Sequence, residues 1–364
     1  MLRLEPRREA SKAMFYITPL IAVALTLIAG AILFAALGKP SLYGLRLIFI
    51  EPLKSERGLA ELTVKATPLI LIASGLAIGF RGGIWNIGAE GQFAVGALGG
   101  SAVALAFYPS GGIWLLPLVC LAGMVSGMAW AAIPAFLKTK FNANEILVSL
   151  MLTYVAIFLL GTLIFGPLRD PEGLNFPESR LFQPSATLPL LWEGTRAHVG
   201  FLVALLAVAA SWILLQRHVS GFAIQVLGQA PRAASFAGFS ANKLVWLCFL
   251  ISGACAGLAG VFEAAGPVGQ LVPAIPSGYG FTAIIVAFLG RLHPVGILMA
   301  GLLLALTYIG GETAQITMTL PSAITGVFQG FFLFFLLAAD VLVTHRITVP
   351  YSRSHHRPAP QAAE

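Results

Sequence analysis

Apolar residues fill long unbroken blocks of this chain instead of alternating with polar residues. Ten blocks are predicted as helical spans, at 15–37, 66–80, 92–108, 113–134, 146–166, 198–215, 244–263, 281–290, 296–311 and 323–343. About 20 apolar residues in a helix cross the hydrocarbon core of a bilayer. A β-barrel would show period-two alternation instead. The pattern therefore predicts an all-α, polytopic membrane protein with about ten transmembrane helices.

Two of these blocks are interrupted by glycine or proline. The block at 281–290 is too short to cross alone, and Gly290, Pro294 and Gly296 follow it, which predicts a broken helix. The block at 66–80 is also short and runs into a glycine-rich stretch. Paired breaks at matching places in two halves are typical of a pathway at the bilayer midplane. We therefore expect two pseudo-symmetric halves, each with a broken helix.

Composition supports lipid as the main solvent. The chain is 58% hydrophobic and 10% charged, with a mean hydropathy of +0.88, whereas soluble domains carry about a quarter charged residues. Cys120, Cys248 and Cys255 all fall inside apolar blocks and are interpreted as packing residues. No cofactor and no metal site are predicted. The net charge of +7 is assigned to topology and to attraction for membrane lipid, with no nucleic-acid binding.

The distribution of basic residues predicts the topology. The first block exceeds a signal-peptide core and is interpreted as an uncleaved helix. Most Lys and Arg residues lie on the N-terminal side of the membrane, so a multi-pass protein of the cell (inner) membrane with both termini in the cytoplasm is expected. The expected divisions are a cytoplasmic tail at 1–14, a transmembrane domain at 15–343, an extracytoplasmic loop at 167–197, an inward segment at 216–243 and a cytoplasmic tail at 344–364.

One stretch, FRGGIWNIGAEGQFAVGALGGSAVALA (80–106), combines many glycines with polar residues. An ionisable group at membrane depth usually faces a bundle interior or a water-filled cavity, so Trp85, Asn86, Glu90 and Gln92 are predicted to belong to a transport pathway. Two interpretations of Glu90 stay open: it lines the route or fixes the broken helix by accepting hydrogen bonds, or it is solvated in a cytoplasmic turn. Trp85 either offers a stacking face to a ring-bearing solute or anchors the chain at the interface.

The other charges near membrane depth suggest no chemistry. Glu263, Glu312 and Asp340 lie at span ends, where an interfacial role is expected, and Arg291 with His293 is interpreted as part of an inward loop. The spans contain no alternating chain of acids and histidines for a proton relay, and no nucleophile paired with a base. An intramembrane enzyme is therefore not predicted.

The inward segment contains a candidate docking helix. Pro231 is tolerated in the first turn of a helix, and PRAASFAGF (231–239) would place Phe236 and Phe239 near one another at i, i+3. A compact helix with small residues and an aromatic knob suits a groove on a partner protein.

Three stretches carry a family resemblance. The sequence GQAPRAASFAGFSANKLVWLCFLISGACAGLAG (228–260) resembles the coupling-helix segment of ABC-type importer permeases of the branched-chain amino acid/ribose class. The family pattern Gly-x-x-Pro-x-Ala-Ala-x-x-x-Gly is supplied by Gly228, Pro231, Ala233, Ala234 and Gly238. FRGGIWNIGAEGQFAVGA (80–97) and FNANEILVSLMLTYVA (141–156) are similar to the nucleoside/simple-sugar branch. Where the family more often has an Arg-Tyr-like pair, this chain has Ser235 and Phe236.

The resemblance implies a non-catalytic permease subunit of an ATP-driven importer for nucleosides or simple sugars. Its implied partners are a cytoplasmic ABC ATPase that contacts the coupling residues, Arg232 included, a second permease that is a copy or a relative, and an extracytoplasmic solute-binding protein. The residues agree on one point: the chain lacks a P-loop, since its sole Gly-Lys pair, at 38–39, is followed by proline. The alternative is an ion-coupled secondary transporter, which would need intramembrane acids besides Glu90.

Overall fold

A computed structural model describes residues 3–6 and 12–348, and each of the ten predicted blocks is helical in it. The helices are α1 (Lys12–Ala36), α2 (Ser41–Phe49), α3 (Glu56–Arg81), α4 (Ala89–Ala106), α5 (Leu115–Phe141), α6 (Glu145–Phe165), α7 (Gly200–Arg217), α8 (Val219–Gln229), α9 (Pro231–Phe236), α10 (Ala241–Glu263), α11 (Tyr279–Leu289), α12 (Pro294–Met318) and α13 (Ile324–Thr344). Short turns of 3-10 helix lie at Glu51–Lys54 and Pro184–Ala186, and a π-helical turn lies at Ala264–Val268. Two strands, β1 (Arg3–Pro6) and β2 (His345–Thr348), complete the described chain.

Eight helices in the described part of the chain are long and apolar enough to cross a membrane. They are α1, α3, α5, α6, α7, α10, α12 and α13. The expectation that the second span is short is wrong. Helix α3 has 26 residues and begins at Glu56, about three turns before the predicted block at 66–80. Its early start follows from Ser55, whose side chain accepts a hydrogen bond from the Gly58 N–H at 3.0 Å and so satisfies a free N–H of the first turn.

Helix α3 lies at the centre of the molecule. It is the most buried of the eight spans, and it packs against α7, α10, α11 and α12. Beside it, α10 packs against α4 and α5 through small residues. A Cβ atom on Gly96 would lie 2.2 Å from the Cα of Gly257, so the backbones of α4 and α10 are in direct contact, as small residues allow between membrane helices.

The two chain ends share one face of the molecule. Strands β1 and β2 pair in antiparallel register, with Arg3 opposite Thr348. The same face, called the inner face below, carries the loop 82–88, the turn 290–293 and the segment 218–240. Arg81 at the end of α3 donates from Nε to the Leu292 carbonyl at 2.9 Å, which ties two of these connections together. Of the tail expected at 344–364, residues 349–364 lie outside the part of the chain that the structure describes.

The long connection 166–199 lies on the opposite, outer face. Three of its backbone N–H groups donate to carbonyls of the segment 264–278: Ser179 to Leu271 at 3.0 Å, Phe182 to Gly269 at 2.8 Å and Leu188 to Ala265 at 2.9 Å. Gln270 adds a side-chain hydrogen bond to Glu178 at 3.0 Å. The connection therefore holds in place the segment that leads from α10 back into the bundle.

One histidine of this connection makes the fold sensitive to acid. His198 is 3% exposed, its Nδ1 accepts a hydrogen bond from the Gly200 N–H at 3.2 Å, and burial lowers its pKa to about 4. A solvated histidine has a pKa of about 6.5, so the unfolded chain binds the proton first. The contribution of His198 to the free energy of unfolding is therefore fully present above about pH 6.5 and is lost as the pH falls toward 4.

We expect this histidine to remove about 2 kcal/mol of unfolding free energy at pH 5 relative to pH 7.5. His198→Asn keeps a side-chain acceptor for the Gly200 N–H but does not titrate. Thermal unfolding in lipid nanodiscs at the two pH values measures the difference. An equal pH dependence in the variant and the wild type would contradict this role of His198.

Candidate functional site

Two helices begin inside the bundle, and their first turns meet. Helix α4 starts after the loop 82–88, and α11 starts after the segment 269–278. The carboxylate of Glu90, in the first turn of α4, accepts hydrogen bonds from the N–H groups of Gly278 at 2.7 Å and Gly280 at 2.5 Å. The first N–H groups of a helix have no partner within it and favour negative charge. Glu90 thus satisfies N–H groups at the start of α11 and joins the two broken helices.

The burial and the hydrogen bonds of Glu90 distinguish between its two interpretations. The side chain is 1% exposed, so it is not solvated in a cytoplasmic turn. Its two hydrogen bonds fix the broken helix, as the first interpretation states. Its place on a solute route stays a prediction.

Sequence reasoning missed the partners of Glu90. The stretch PSGYG (276–280) offers the signal, since two glycines flank one residue immediately before an apolar helix. Gly278 has a φ of 89°, which a residue with a side chain rarely adopts. The contact joins residues far apart in the chain, and no local pattern pairs them.

Asn86 and Gln92 hold the loop before α4 by pairing their amides. Asn86 Nδ2 donates to Gln92 Oε1 at 2.8 Å, and Gln92 Nε2 donates to Asn86 Oδ1 at 3.0 Å. Asn86 also donates to Ser252 Oγ of α10 at 2.8 Å and accepts from the Gly88 N–H at 3.0 Å. Both side chains are buried. They fix the entry into α4, whereas a direct contact with solute remains a prediction for both.

Trp85 lies at the inner end of the site. Its ring stacks on Phe288 with centroids 5.8 Å apart and is tilted against Phe80 at 5.1 Å. The indole is 36% exposed. Trp85 thus belongs to a group of three packed rings that joins the last turns of α3 and α11.

The close approach of α4 and α11 supplies a prediction. A Cβ atom on Gly280 would lie 2.3 Å from the Glu90 backbone nitrogen, whereas one on Gly326 in α13 would meet nothing within 4 Å. Gly280→Ala is expected to separate the two half-helices and to lower both the melting temperature and the uptake rate. Gly326→Ala is the matched control and should leave both unchanged. Equal melting temperatures for the two variants would show that this contact does not hold α11.

The predicted coupling residues surround a short helix on the inner face. Pro231 begins α9, Ala234 is its buried residue, and Gly238 turns the chain with a φ of 80°. Arg232 and Ala233 are exposed. Gly228 ends α8 against α3, since a Cβ there would lie 2.2 Å from the Arg81 carbonyl oxygen.

The expected pairing of Phe236 with Phe239 is wrong. Helix α9 ends at Phe236, and Phe239 lies beyond it, where it packs edge-to-face on Phe222 of α8 with centroids 6.2 Å apart. Phe236 is 93% exposed. A single aromatic side chain therefore projects from α9, anchored from behind by Ala234.

Two of the three charges assigned to span ends, Glu312 and Asp340, form ion pairs. Glu312 forms an ion pair with Lys65 of α3 at 3.4 Å. Arg291 contacts Asp340 of α13 and Thr18 of α1, so the turn after α11 is tied to the helices that carry both chain ends. Among the described residues, no group of three or more His, Cys, Asp or Glu side chains could hold a metal ion.

Two half-helices whose first turns meet among membrane-crossing helices are typical of membrane transport proteins. The chain belongs to the family of permease components of branched-chain amino acid transport systems, whose model matches residues 58–337. It is therefore a multi-pass permease subunit of an ABC transporter, a transport component and not a catalytic one.

Three relatives show how close the similarity is. The glucose ABC transporter permease protein TsgB13 of Haloferax volcanii is 37% identical over 97% of this chain and 95% of its own length. The guanosine ABC transporter permease protein NupP of Bacillus subtilis is 31% identical over 89% of this chain and 93% of its own length. The putative glucose ABC transporter permease protein TsgC13 of Haloferax volcanii is 33% identical over 68% of this chain and 76% of its own length.

Proposed function

We propose that this permease moves nucleosides or related simple sugars inward, driven by a cytoplasmic ABC ATPase and supplied by an extracytoplasmic solute-binding protein. The observation that carries the proposal is the similarity along nearly the whole chain to relatives named for glucose and for guanosine. Both solutes contain a hydroxyl-bearing ring. A route built for that ring would serve either class.

The inner face would be cytoplasmic, with both termini on it. This orientation follows from the excess of Lys and Arg in its connections. It places α9 where an ATPase can reach it. The exposed Phe236, with Arg232 beside it, would fill a groove on that ATPase, as buried aromatic anchors do at protein interfaces.

A contiguous set of packed residues connects α9 to the broken helices. Ala234 lies in one buried cluster with Ile224 and Leu227 of α8 and with Ile84 of the loop 82–88. That loop leads through Asn86 to Glu90. Movement of α9 by the ATPase would therefore shift the loop and the half-helices that Glu90 joins, which is alternating access by rocking of helix groups.

The second permease would be a relative of this chain and not a copy. TsgB13 and TsgC13 come from one organism and are both named as glucose permeases, and they match this chain over 97% and 68% of its length. A pair of two related permeases would form the complete transporter. The long connection 166–199 on the outer face would contact the solute-binding protein.

An ion-coupled carrier is the second candidate, and the geometry disfavours it. Such a carrier needs a carboxylate free to bind an ion in mid-membrane. The oxygens of Glu90 each accept a backbone N–H instead. This carboxylate is committed to holding α11.

A solute panel tests the proposal. The complex of this chain with its second permease, ATPase and binding protein is reconstituted in proteoliposomes, and uptake of labelled guanosine, glucose and leucine is measured. We expect guanosine or glucose to accumulate and leucine to be excluded. Accumulation of leucine alone would contradict the solute assignment.

A further inference from the structure

Six polar side chains from four helices form a connected group between α3 and α13, which we call the outer polar cluster. Its members are Lys65, Tyr279, Thr282, Tyr308, Glu312 and Gln329. None of them was among the pathway residues predicted from the sequence.

Contacts run through the cluster from its exposed end to its buried end. Lys65 pairs with Glu312 at 3.4 Å and lies 5.8 Å above the ring centroid of Tyr279. The Tyr279 ring lies 5.5 Å from that of Tyr308. Tyr308 Oη and Thr282 Oγ1 are 2.9 Å apart, and the Thr282 hydroxyl donates to Gln329 Oε1 at 3.2 Å.

The exposed end must face water. The Glu312 side chain is 57% exposed, and it lies within two turns of the outer end of α12, a helix long and apolar enough to cross a membrane. A carboxylate at that depth is costly against lipid and faces a water-filled cavity instead. The cluster thus has an exposed carboxylate at its outer end.

The buried end has an unused donor. Gln329 is 9% exposed, and its Nε2 has no hydrogen-bond partner in the described part of the chain. A buried donor without an acceptor is unfavourable, because it has lost its hydrogen bonds to water. A solute hydroxyl that reached Gln329 would supply the acceptor.

We propose that the outer polar cluster is the site at which this permease receives the sugar ring of its solute; this inference rests on the proposed function. The Tyr308 ring, which is partly exposed, offers an apolar face for the ring carbons. The hydroxyls, the amide and the charged groups offer donors and acceptors for its hydroxyls. The Lys65 charge is compensated by Glu312, so a neutral solute is favoured over an ion.

The first test measures transport by the complete complex in proteoliposomes. Gln329→Leu and Thr282→Val remove one polar group each, and Gln315→Leu, at an exposed position near the outer end of α12, is the matched control. We expect the two cluster variants to lower the saturated uptake rate of guanosine or glucose at least tenfold while basal ATP hydrolysis is retained. Wild-type uptake rates in both variants would overturn the proposal.

The second test detects the solute at the site without requiring transport. Gln315→Cys, in a chain whose three native cysteines are replaced by alanine, is labelled from outside with a membrane-impermeant thiol reagent. Excess guanosine or glucose should slow labelling, and added Gln329→Leu should abolish that protection. Absence of protection in the Gln315→Cys chain would overturn the proposal. Protection by a sugar without uptake of either solute would support the site while contradicting the proposed function.

Discussion

Replacing Glu90 by leucine is expected to abolish uptake and to destabilise the permease. Two buried N–H groups, those of Gly278 and Gly280, would lose their acceptor. Each unsatisfied donor costs about 1–3 kcal/mol, so the unfolding free energy should fall by roughly 2–6 kcal/mol. The half-helix α11 would no longer be tied to α4.

Glu90→Gln separates the role of charge from the role of shape. Its amide oxygen can still accept one of the two hydrogen bonds, but its NH2 group would face the other N–H. We expect an intermediate melting temperature and a lower uptake rate. Glu193→Gln, on the exposed outer connection, is the control and should behave as wild type. Wild-type uptake by Glu90→Leu would show that the joint between the two half-helices is not needed for transport.

The second large effect is expected at Phe236. Its side chain is 93% exposed, so Phe236→Asp should leave folding intact. At an interface with the ATPase, however, loss of an aromatic anchor costs about 2 kcal/mol or more. We expect ATP-driven uptake to fall at least tenfold and the ATPase to separate from the permease during purification.

The control for this variant is another exposed phenylalanine on the inner side. Phe141 at the end of α5 is 66% exposed and contacts the ring of Phe136 in its own helix. Phe141→Asp should retain both uptake and the bound ATPase. If Phe236→Asp also retained them, α9 would not be the point at which the ATPase acts.

The sequence predicted the helices well because lipid imposes a strong pattern. A span must be apolar over its full length, so the blocks at 113–134 and 146–166 reappear as α5 and α6, although α5 continues about two turns beyond the predicted end. The start of α3 escaped prediction because its first turns are polar and emerge from the membrane. There the Ser55 cap, and not hydropathy, decides where the helix begins.

The sequence predicted some residues of the candidate site but not the contacts that they make. Glycines around a carboxylate in an apolar stretch indicated that Glu90 is unusual, and Pro231 correctly indicated the start of α9. The partners of Glu90 lie nearly two hundred residues away along the chain. The outer polar cluster likewise gathers single polar residues from helices that look ordinary one at a time, so only the packed structure brings them together.

The central claim is that this permease moves solute with energy taken from a partner ATPase through α9. The most direct measurement is solute accumulation in proteoliposomes that contain the full complex, with ATP inside or with ion gradients alone. The account predicts accumulation that requires ATP and persists when an ionophore collapses the gradients. Accumulation driven by a gradient in the absence of ATP would contradict it.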